Sequence, residues 1–552
     1  MVAIIFLNII LVLYIIKCFI YLVTLFQQNH YDLKKTSYSL GKYYLRKTYQ
    51  YYYYVGIIFV VLSLFYDVFG YIASALLLVS FIHRNHYVIR LKFTKRIIRL
   101  LFTSSLIIFI PMILCFRFIL VNYCLVMLLP IVLVLANLIN YPVEQVIKKY
   151  YKKKAIKKID KMETLTKIAI TGSFGKTSTK DIITQILSSK YLTLKTPASY
   201  NTMMGLSLTI NNQLNPETEI FVMEMGAFFV GEIEQMSRAF RPNIAIITEI
   251  GMQHMSTFKS VKNIAKAKFE IASSLDQNGC LILNYDNEYI RDYDKSKIVT
   301  NHIYTYGIER GDYHIENLVF NGKETTFSIF HFDHFVMDIK TNLLGRHHVL
   351  NILAAFTTLK ALERYHIYID NETFQKVVAK ITPTLHRLSY REEGMYHIYD
   401  DSYSSNIIGF KNASEVLSMQ EGRKIIITPG IVDGGEYDQS INEEIAKVMI
   451  DIFDEIYLIN NKSSQVIAQI LKDKKINYLI FSSFKEAYLT ILSKYNRSDE
   501  IINILIENDL PDRKVANKNE RRSNSCWYYY WGKKCRMRNI ANFGFTSLLC
   551  DG

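Results

Sequence analysis

Three blocks of apolar residues come first along the chain, before any alternation of strands and helices. Residues 2–26 are almost wholly apolar, which is long enough to cross a hydrocarbon core that needs about 20 residues. The blocks at 54–82 and 100–139 are longer, and each is interrupted near its middle by polar residues, so each predicts a hairpin of two short spans. We therefore expect an α-helical transmembrane region over residues 1–145 with about five helices. Re-entrant segments are the alternative for the short hairpins.

Basic residues lie between and after the apolar blocks. Lys and Arg concentrate at residues 34–47, 84–99 and 148–161. Basic loops stay on the cytoplasmic side of a membrane, and five crossings with the N-terminus outside would put all three clusters there. The net charge of +15 is therefore interpreted as topology and contact with membrane lipid headgroups, not as binding of nucleic acid. Residues 146–164 would be a basic cytosolic linker, and the domains after it would lie in the cytoplasm.

From residue 165 the pattern changes to short apolar strands followed by amphipathic helices, which is typical of an α/β fold. A first strand over Ile168–Ile170 leads into Thr171-Gly-Ser-Phe-Gly-Lys-Thr-Ser178 and then a helix. The glycines let backbone N–H groups approach phosphate, and the helix N-terminus favours its charge. Lys176 reaches the β and γ oxygens, and the Thr177 hydroxyl can hold Mg²⁺. The pattern predicts a central P-loop ATPase domain over residues 165–383.

Two further strands end in polar residues that belong to the same predicted sheet. A strand over Ile220–Met223 ends at Glu224, and a strand over Asn243–Thr248 is followed by His254. Ligands of open α/β sheets bind at the carboxyl ends of the strands, so Glu224 is a candidate Mg²⁺ ligand with His254 at the same edge. Taken alone, each would be an ordinary strand-end acid or loop histidine.

Residues 384–517 predict a second α/β unit without another phosphate loop, hence a Rossmann-like C-terminal domain. Its predicted strands are His397–Tyr399, Lys424–Thr428, Glu455–Ile459, Tyr478–Phe481 and Ile502–Ile506. Residues 383–387 predict a hinge between the two units. Residues 518–552 are rich in Lys, Arg, Asn and Cys and show no periodicity, and our hypothesis is that this tail is an out-of-frame overlap with a neighbouring gene.

Eight short motifs between residues 165 and 512 resemble, in their order, those of the Mur ligases. They are Thr171–Ser178, Ser199–Asn201, Glu224–Gly226 with Gly231–Ile233, Ile250–His254, Ala267–Ile271, Gly345–Asn351, Asp400–Asn406 and Thr428–Gly435. Motifs in one order are far more specific than any one of them. The sequence departs from the family pattern at Glu249, Ile407 and Asp433-Gly434, none of which must touch phosphate.

The resemblance implies an ATP-dependent carboxylate-amine ligase of bacterial peptidoglycan precursor synthesis, which uses ATP and Mg²⁺ and forms an acyl phosphate. It also implies that Lys268 is carbamylated by CO₂, which would turn a cation that repels Mg²⁺ into an anion that orients it. The residues implied are Lys176, Lys268 and His254 for catalysis; Gly172, Ser173, Gly175, Lys176, Thr177, Ser178, Asn351, Arg387, Asp401, Tyr403 and Asn406 for ATP; Ser199 and Asn201 for substrate; and Thr177, Glu224 and His254 for metal.

The closest branch of the family adds D-alanyl-D-alanine to a muramyl peptide, so these two molecules are the expected partners. Family members carry a soluble N-terminal domain that grips a UDP-sugar, whereas residues 1–164 predict membrane spans in its place. The muramyl peptide is therefore expected to be UDP-linked or lipid-linked. Two alternatives remain, a Mur-type ligase that acts on a lipid-linked stem or a poly-γ-glutamate-like substrate, and a non-enzymatic membrane scaffold.

Overall fold

A computed structural model describes the backbone of residues 2–28, 31, 50–63, 65–82, 91–125, 128–197, 200–321, 323–382, 386–402, 406–432, 437–496 and 499–508. The chain divides into two compact units, Met1–Thr384 and Leu385–Gly552. The predicted hinge at Pro383, the site residues Ser199 and Tyr403, the pair Asp433-Gly434 and the tail 518–552 lie outside the described residues.

The N-terminal part of the first unit is helical, as its apolar blocks predict. Its helices are α1 (Val2–Gln28), α2 (Gln50–Leu62), α3 (Asp67–Ile82), α4 (Lys95–Leu114), α5 (Ile119–Leu125) and α6 (Leu129–Ile159). Among the described residues, three helices are long and apolar enough to cross a membrane, at Ile4–Gln28, Lys95–Leu114 and Leu129–Ile159. Helices α2 and α3 form the expected hairpin but have 13 and 16 residues, so the five crossings stay a prediction.

Polar side chains inside this helical region are joined to one another. Asn122 Nδ2 donates to Asn8 Oδ1 at 3.0 Å, which links α5 to α1. Thr103 Oγ1 donates to an Asn140 oxygen at 3.0 Å, and one turn away Arg99 forms an ion pair with Glu144 at 2.5 Å. Polar groups among apolar helices are costly unless they are paired, so these contacts fix which faces of α4 and α6 meet.

Helix α6 continues through the basic cluster to Ile159 and so includes most of the predicted basic linker at 146–164. Lysine favours helix and no breaker follows Pro142, so the apolar and basic halves belong to one helix of 31 residues, about 46 Å along its axis. Its C-terminal end belongs to the core of the following domain, where Ala155 and Ile159 are buried. Lys158 Nζ also donates to the Ile210 carbonyl at 2.9 Å, at the end of a neighbouring helix.

The rest of the first unit is an α/β domain built on a nine-stranded sheet. Its strands are β1 (Thr166–Thr171), β2 (Thr193–Lys195), β3 (Ile220–Glu224), β4 (Ile244–Ile247), β5 (Cys280–Asn284), β6 (His302–Tyr306), β7 (Tyr313–Asn321), β8 (Glu324–His331) and β9 (His334–Thr341), in the order β2-β3-β1-β4-β5-β6-β7-β8-β9. Strands β1 to β6 are parallel, and β7 to β9 continue the sheet as antiparallel hairpins.

The helices of this domain lie between its strands and cover the sheet. They are α7 (Lys176–Leu187), α8 (Met203–Asn212), α9 (Glu232–Phe240), α10 (Met255–Phe258), α11 (Val261–Phe269), α12 (Glu288–Arg291), α13 (Arg346–Leu362) and α14 (Asn371–Val378), with 3₁₀ turns at Glu270–Ser274 and Glu363–Tyr365. Because β1 lies between β3 and β4, the three predicted polar strand ends meet at one edge of the sheet.

The second unit is a six-stranded sheet with helices between its parallel strands. Its strands are β10 (Ser389–Glu393), β11 (Tyr396–Asp401), β12 (Arg423–Thr428), β13 (Glu455–Ile459), β14 (Tyr478–Phe481) and β15 (Ile502–Glu507), in the order β10-β11-β15-β12-β13-β14. Its helices are α15 (Ile407–Ser418), α16 (Asp438–Ile452), α17 (Lys462–Asp473) and α18 (Phe484–Tyr495). The five strands predicted from the sequence are all present, and among the described strands of this unit only β10 is antiparallel to its neighbour.

Candidate active site

The turn between β1 and α7 has the backbone conformation that its glycines allow. Gly175 has a φ of 78° and immediately precedes the first helical residue, Lys176. Gly172 has a φ of 155°, and a Cβ built there would lie 2.1 Å from Thr248 Oγ1. A side chain at Gly172 would therefore push the turn away from β4, so glycine is required by close approach as well as by φ.

Lys176 is held over this turn by the turn's own carbonyl oxygens. Its Nζ donates to Gly172 O at 2.6 Å and to Ser173 O at 2.8 Å. Ser173 is itself fixed to the adjacent loop, since its Oγ donates to Gly251 O at 3.1 Å and accepts from Gly251 N at the same distance. The ammonium group thus lies in a turn whose shape is fixed from two strands, at a helix N-terminus that favours anions.

Glu224, at the end of β3, is the best-connected predicted side chain. Its Oε2 accepts from Thr177 Oγ1 at 2.9 Å and from Lys180 Nζ at 3.0 Å, and its Oε1 accepts from Asn201 Nδ2 at 3.1 Å. Only 1% of Glu224 is exposed. Burial raises the pKa of this carboxyl, but the charges of Lys180 and Lys176 outweigh it, so the pKa is lowered overall. Glu224 is therefore a buried anion.

The sequence prediction missed Lys180, although it lies one helical turn after Lys176. A lysine in an amphipathic helix normally points to solvent, whereas this one is 1% exposed and its ammonium group faces Glu224. The available signal was the spacing of four residues, which places Lys180 on the same face of α7 as Lys176.

The oxygens of Thr177 and Glu224 are a donor pair that suits Mg²⁺, which prefers oxygen ligands and keeps several waters or phosphate oxygens. The third predicted ligand, His254, is exposed, has a φ of 52°, and its ring centroid lies 4.5 Å from that of Phe228. Within the described ranges, no group of three or more His, Cys, Asp or Glu residues is placed to hold a metal. The described geometry thus joins two of the three expected ligands.

Lys268, on α11, is almost completely buried, with 2% of its surface exposed. Burial and the charge of Lys176 lower the pKa of its amine to about 7, although Glu270, Glu224 and Glu232 act in the opposite direction. Near neutral pH a substantial fraction of this amine is therefore uncharged and nucleophilic.

Asn351 contacts the phosphate-loop helix directly. Its Oδ1 accepts from Thr179 Oγ1 at 2.9 Å, and a Cβ at Gly175 would lie 3.1 Å from the same oxygen. Asn351 is 6% exposed, so this polar group ties α13 to the start of α7. Ser178, the last residue of the predicted loop, is also buried.

Glu249, where the sequence departs from the family pattern, follows β4 beside the loop. Its carbonyl accepts from Ser173 N at 2.6 Å. Burial raises the pKa of its carboxyl to about 7, so this group changes charge near neutral pH.

The predicted nucleotide residues of the second unit have local structural partners. Asp401 Oδ1 accepts from Leu388 N at 3.0 Å, which orders the residues just after Arg387. Asn406 is the N-cap of α15, and its Oδ1 accepts from Gly409 N at 2.8 Å. Both side chains thus stabilise turns at the carboxyl edge of the second sheet.

Comparison with known proteins identifies relatives of the α/β part of the chain. A model of the Mur ligase middle domain matches residues 170–359. The UDP-N-acetylmuramoyl-tripeptide--D-alanyl-D-alanine ligase of Borreliella burgdorferi is 30% identical over 362 residues, which is 61% of this chain and 74% of the relative. The enzyme of the same name from Escherichia coli is 26% identical over 358 residues, covering 62% of this chain and 77% of the relative.

Solved structures show the same fold. MurF from Thermotoga maritima in complex with ADP matches with a TM-score of 0.59 at 22% identity, covering 68% of this chain and 85% of that one. MurF from Acinetobacter baumannii matches with a TM-score of 0.59 at 22% identity, covering 66% and 77%. These likenesses establish a Mur ligase α/β fold with parallel sheet domains.

Proposed function

The chain belongs to the Mur ligase family, and from this premise we propose that it is an ATP-dependent ligase that joins D-alanyl-D-alanine to a muramyl peptide. The observation that carries the proposal is the cluster of Lys176, Thr177, Glu224 and Lys268 at one sheet edge, in a chain whose relatives are named for this reaction. A non-enzymatic scaffold would not need these side chains together.

The reaction would proceed in two steps. The terminal carboxylate of the muramyl peptide attacks the γ-phosphorus of ATP, which forms an acyl phosphate and releases ADP. The amine of D-alanyl-D-alanine then attacks the acyl carbon, an amide bond forms, phosphate leaves, and the amine loses a proton. The glycine-rich turn and Lys176 would bind the phosphate groups through backbone N–H groups and one cation.

Thr177 and Glu224 would hold Mg²⁺, with His254 as a further ligand. When bound, the ion would neutralise phosphate charge during transfer. Ser173, Ser178 and Asn351 would complete the nucleotide site, and Asn201, together with Ser199, would face the substrate. The contacts of Asn201 and Thr177 with the same carboxylate support this assignment because they bring the substrate-side and phosphate-side loops together.

We further propose that Lys268 reacts with CO₂. Its neutral nitrogen would attack the carbon of CO₂, an N–C bond would form, and a proton would leave to solvent, which gives a carbamate anion. Two properties support this proposal: a pKa of about 7 supplies the neutral amine near physiological pH, and the nearby Lys176 cation would stabilise the anion formed.

In the second unit, Arg387, Asp401, Tyr403 and Asn406 are proposed to reach the nucleotide, and the unit is proposed to carry the incoming amine. The local bonds of Asp401 and Asn406 support a preformed loop edge at these positions. Exclusion of water would protect the acyl phosphate from hydrolysis.

We propose that the N-terminal helices anchor the enzyme in the bacterial cytoplasmic membrane as a multi-pass region that contacts lipid. Large apolar side chains of α4 and α6 are exposed, and the basic half of α6 follows its apolar half, which suits a leaflet with anionic headgroups. A lipid-linked muramyl peptide is the second candidate acceptor. It is favoured by the continuity of α6, which joins the membrane-capable helices to the core of the ATP-binding domain.

Phosphate release from ATP tests the proposal. The full-length protein in detergent would receive UDP-linked muramyl tripeptide and D-alanyl-D-alanine, separately and together. We expect release only with both, and loss of release in Lys176→Ala. Release only when a lipid-linked tripeptide replaces the UDP-linked one would identify the second candidate. No release with either acceptor, although ATP is bound, would contradict the proposed reaction.

A further inference from the structure

The ammonium group of Lys180, on α7, contacts the candidate metal ligand Glu224. Its Nζ is 3.0 Å from Glu224 Oε2, the same oxygen that accepts from Thr177 Oγ1 at 2.9 Å. We propose that Lys180 is a positioning residue that acts as a resident cation at Glu224, so that the site rejects free Mg²⁺ and takes it only together with nucleotide phosphates. The inference rests on the proposed role of Thr177 and Glu224 as metal ligands.

The geometry of one oxygen atom supports competition between the two cations. A divalent ion bound by both Thr177 Oγ1 and Glu224 Oε2 would lie close to the ammonium of Lys180, because all three groups meet at Oε2. The side chains of Lys180 and Glu224 are 1% and 2% exposed, so water screens their charges poorly. Lys176 also acts on Glu224, which adds to the repulsion.

Lys180 also has little freedom to leave when a metal approaches. It lies inside a turn of α7 whose neighbours Thr179, Ile183 and Thr184 are buried, and its own side chain is 1% exposed. The negative charge of the nucleotide phosphates would offset both lysines at once. Metal binding is then coupled to nucleotide binding through electrostatics alone, and the coupling requires no conformational change.

A purely structural role of Lys180 predicts a different result. A buried ion pair contributes little net stability compared with apolar residues of the same volume, although breaking it is costly. If Lys180 contributes only packing and a hydrogen bond to Glu224, its loss would change stability and leave the metal affinity of the nucleotide-free protein unchanged. If it competes with metal, its loss would raise that affinity.

Binding of Mn²⁺, followed by electron paramagnetic resonance, separates these two roles. The nucleotide-free full-length protein in detergent would be compared with Lys180→Met, which removes the charge, and Lys180→Gln, which keeps a hydrogen-bond donor for Glu224. Lys195→Met is the matched control, because Lys195 pairs with Asp181 of the same helix but is 40% exposed. We expect at least about tenfold tighter Mn²⁺ binding in both Lys180 variants and no change in the control.

Melting curves extend the test to a variant that folds poorly. Because Mn²⁺ would replace the missing counter-charge, it should raise the Tm of either Lys180 variant more than that of the wild type. Equal affinity and equal Tm shifts in the variants and the wild type would overturn the inference. With ATP added, the difference in Mn²⁺ affinity between variant and wild type should narrow.

A double variant distinguishes failure of this inference from failure of the proposed function. Adding Glu224→Gln to Lys180→Gln should abolish the tighter Mn²⁺ binding. If the tighter binding persists, Glu224 is not the ligand, and both the metal assignment and the inference fall. If the Mn²⁺ results are as expected but no ligase activity is found, the coupling stands and the proposed reaction fails.

Discussion

Two glutamates, Glu224 and Glu507, end buried parallel strands in different units of the chain, and their environments are opposite. Glu224 ends β3 and is surrounded by donors, with Lys180, Thr177 and Asn201 bonded to its two oxygens. Glu507 ends β15 and pairs in register with Asp401 of β11. Among the described residues, Glu507 Oε1 has no hydrogen-bond partner.

The pKa of each carboxyl follows these neighbours. The pKa of Glu224 is lowered in spite of burial, because two lysines act on it. Burial raises the pKa of Glu507 well above its ordinary value, and the charges of Asp401 and Asp400 add to the effect. The same position in the same kind of sheet therefore holds an anion in one unit and favours a neutral acid in the other. The fold places a carboxyl at the end of the strand, and the neighbouring side chains determine its charge.

Paired substitutions give the largest expected contrast between the two sites. Glu224→Gln would leave the buried Lys180 ammonium without its carboxylate, and we expect it to destabilise the first unit by about 3–5 kcal/mol. Glu507→Gln replaces a carboxyl that favours its neutral form with an amide of the same shape, so we expect a change of less than about 1 kcal/mol below the ordinary carboxyl pKa, where the unfolded chain is protonated as well. Calorimetric unfolding of both variants measures the difference.

The stability of the wild type and that of the Glu507 variant should depend on pH in different ways. The folded protein keeps a proton on Glu507 that the unfolded chain releases above its ordinary pKa, so the wild type loses stability as pH rises past that value. Glu507→Gln should remove this loss. Equal destabilisation by the glutamine at both positions would refute the contrast.

Lys176, at the edge of the first sheet where the glycine-rich turn lies, is expected to control turnover. Lys176→Ala removes the cation that the turn holds over the candidate phosphate site, and we expect ATP-dependent ligation to fall on the order of 10²–10³-fold. Lys195→Ala, at a partly exposed lysine that pairs with Asp181 of the same helix, is the control and should keep wild-type activity. A Lys176 variant that retains more than a tenth of the activity would contradict a role in phosphate transfer.

Strand positions and polar strand ends could be predicted from the sequence because local patterns determine them. The run Ile168–Ile170 and the glycines after it specify a strand, a turn and a helix start within ten residues. The same logic located Glu224 at a strand end. Their meeting at one edge follows from the rule for parallel sheets, so this part of the site needed no tertiary information.

The rest depended on packing that a single sequence does not record. Lys180 has the same local pattern as a solvent-facing lysine, and only the close approach of β3 turns it into a buried partner of Glu224. The basic run after residue 148 fits a loop or a helix equally well, and the contacts of Ala155 and Ile159 with the domain core decide for helix. Both surprises arise where one element is buried against another distant in sequence.

Glu249, which follows β4 beside the glycine-rich turn, allows a test of how the stability of the first unit depends on pH. Burial raises the pKa of its carboxyl from 4.5 to about 7, so the folded state binds a proton that the unfolded state releases between these pH values. The free energy of unfolding of the wild type should therefore fall by about 2–3 kcal/mol as pH rises from 4.5 to 7, and Glu249→Gln should lack this part of the fall. Chemical denaturation at a series of pH values measures it, and parallel curves for the two proteins would disprove the assignment.

The smallest expected effect concerns Asn406 in the second unit, where substitutions can separate a role in capping α15 from a role in contacting nucleotide. Its Oδ1 caps α15 by accepting from Gly409 N at 2.8 Å, so Asn406→Ala should cost about 1 kcal/mol of stability. Asn406→Asp keeps an oxygen acceptor and should restore stability, because aspartate caps helices as well as asparagine does. It also places an extra negative charge where the family resemblance implies nucleotide. If Asn406 contacts ATP as well, the aspartate variant should be stable but show a raised KM for ATP, whereas a residue that only caps the helix would leave KM unchanged.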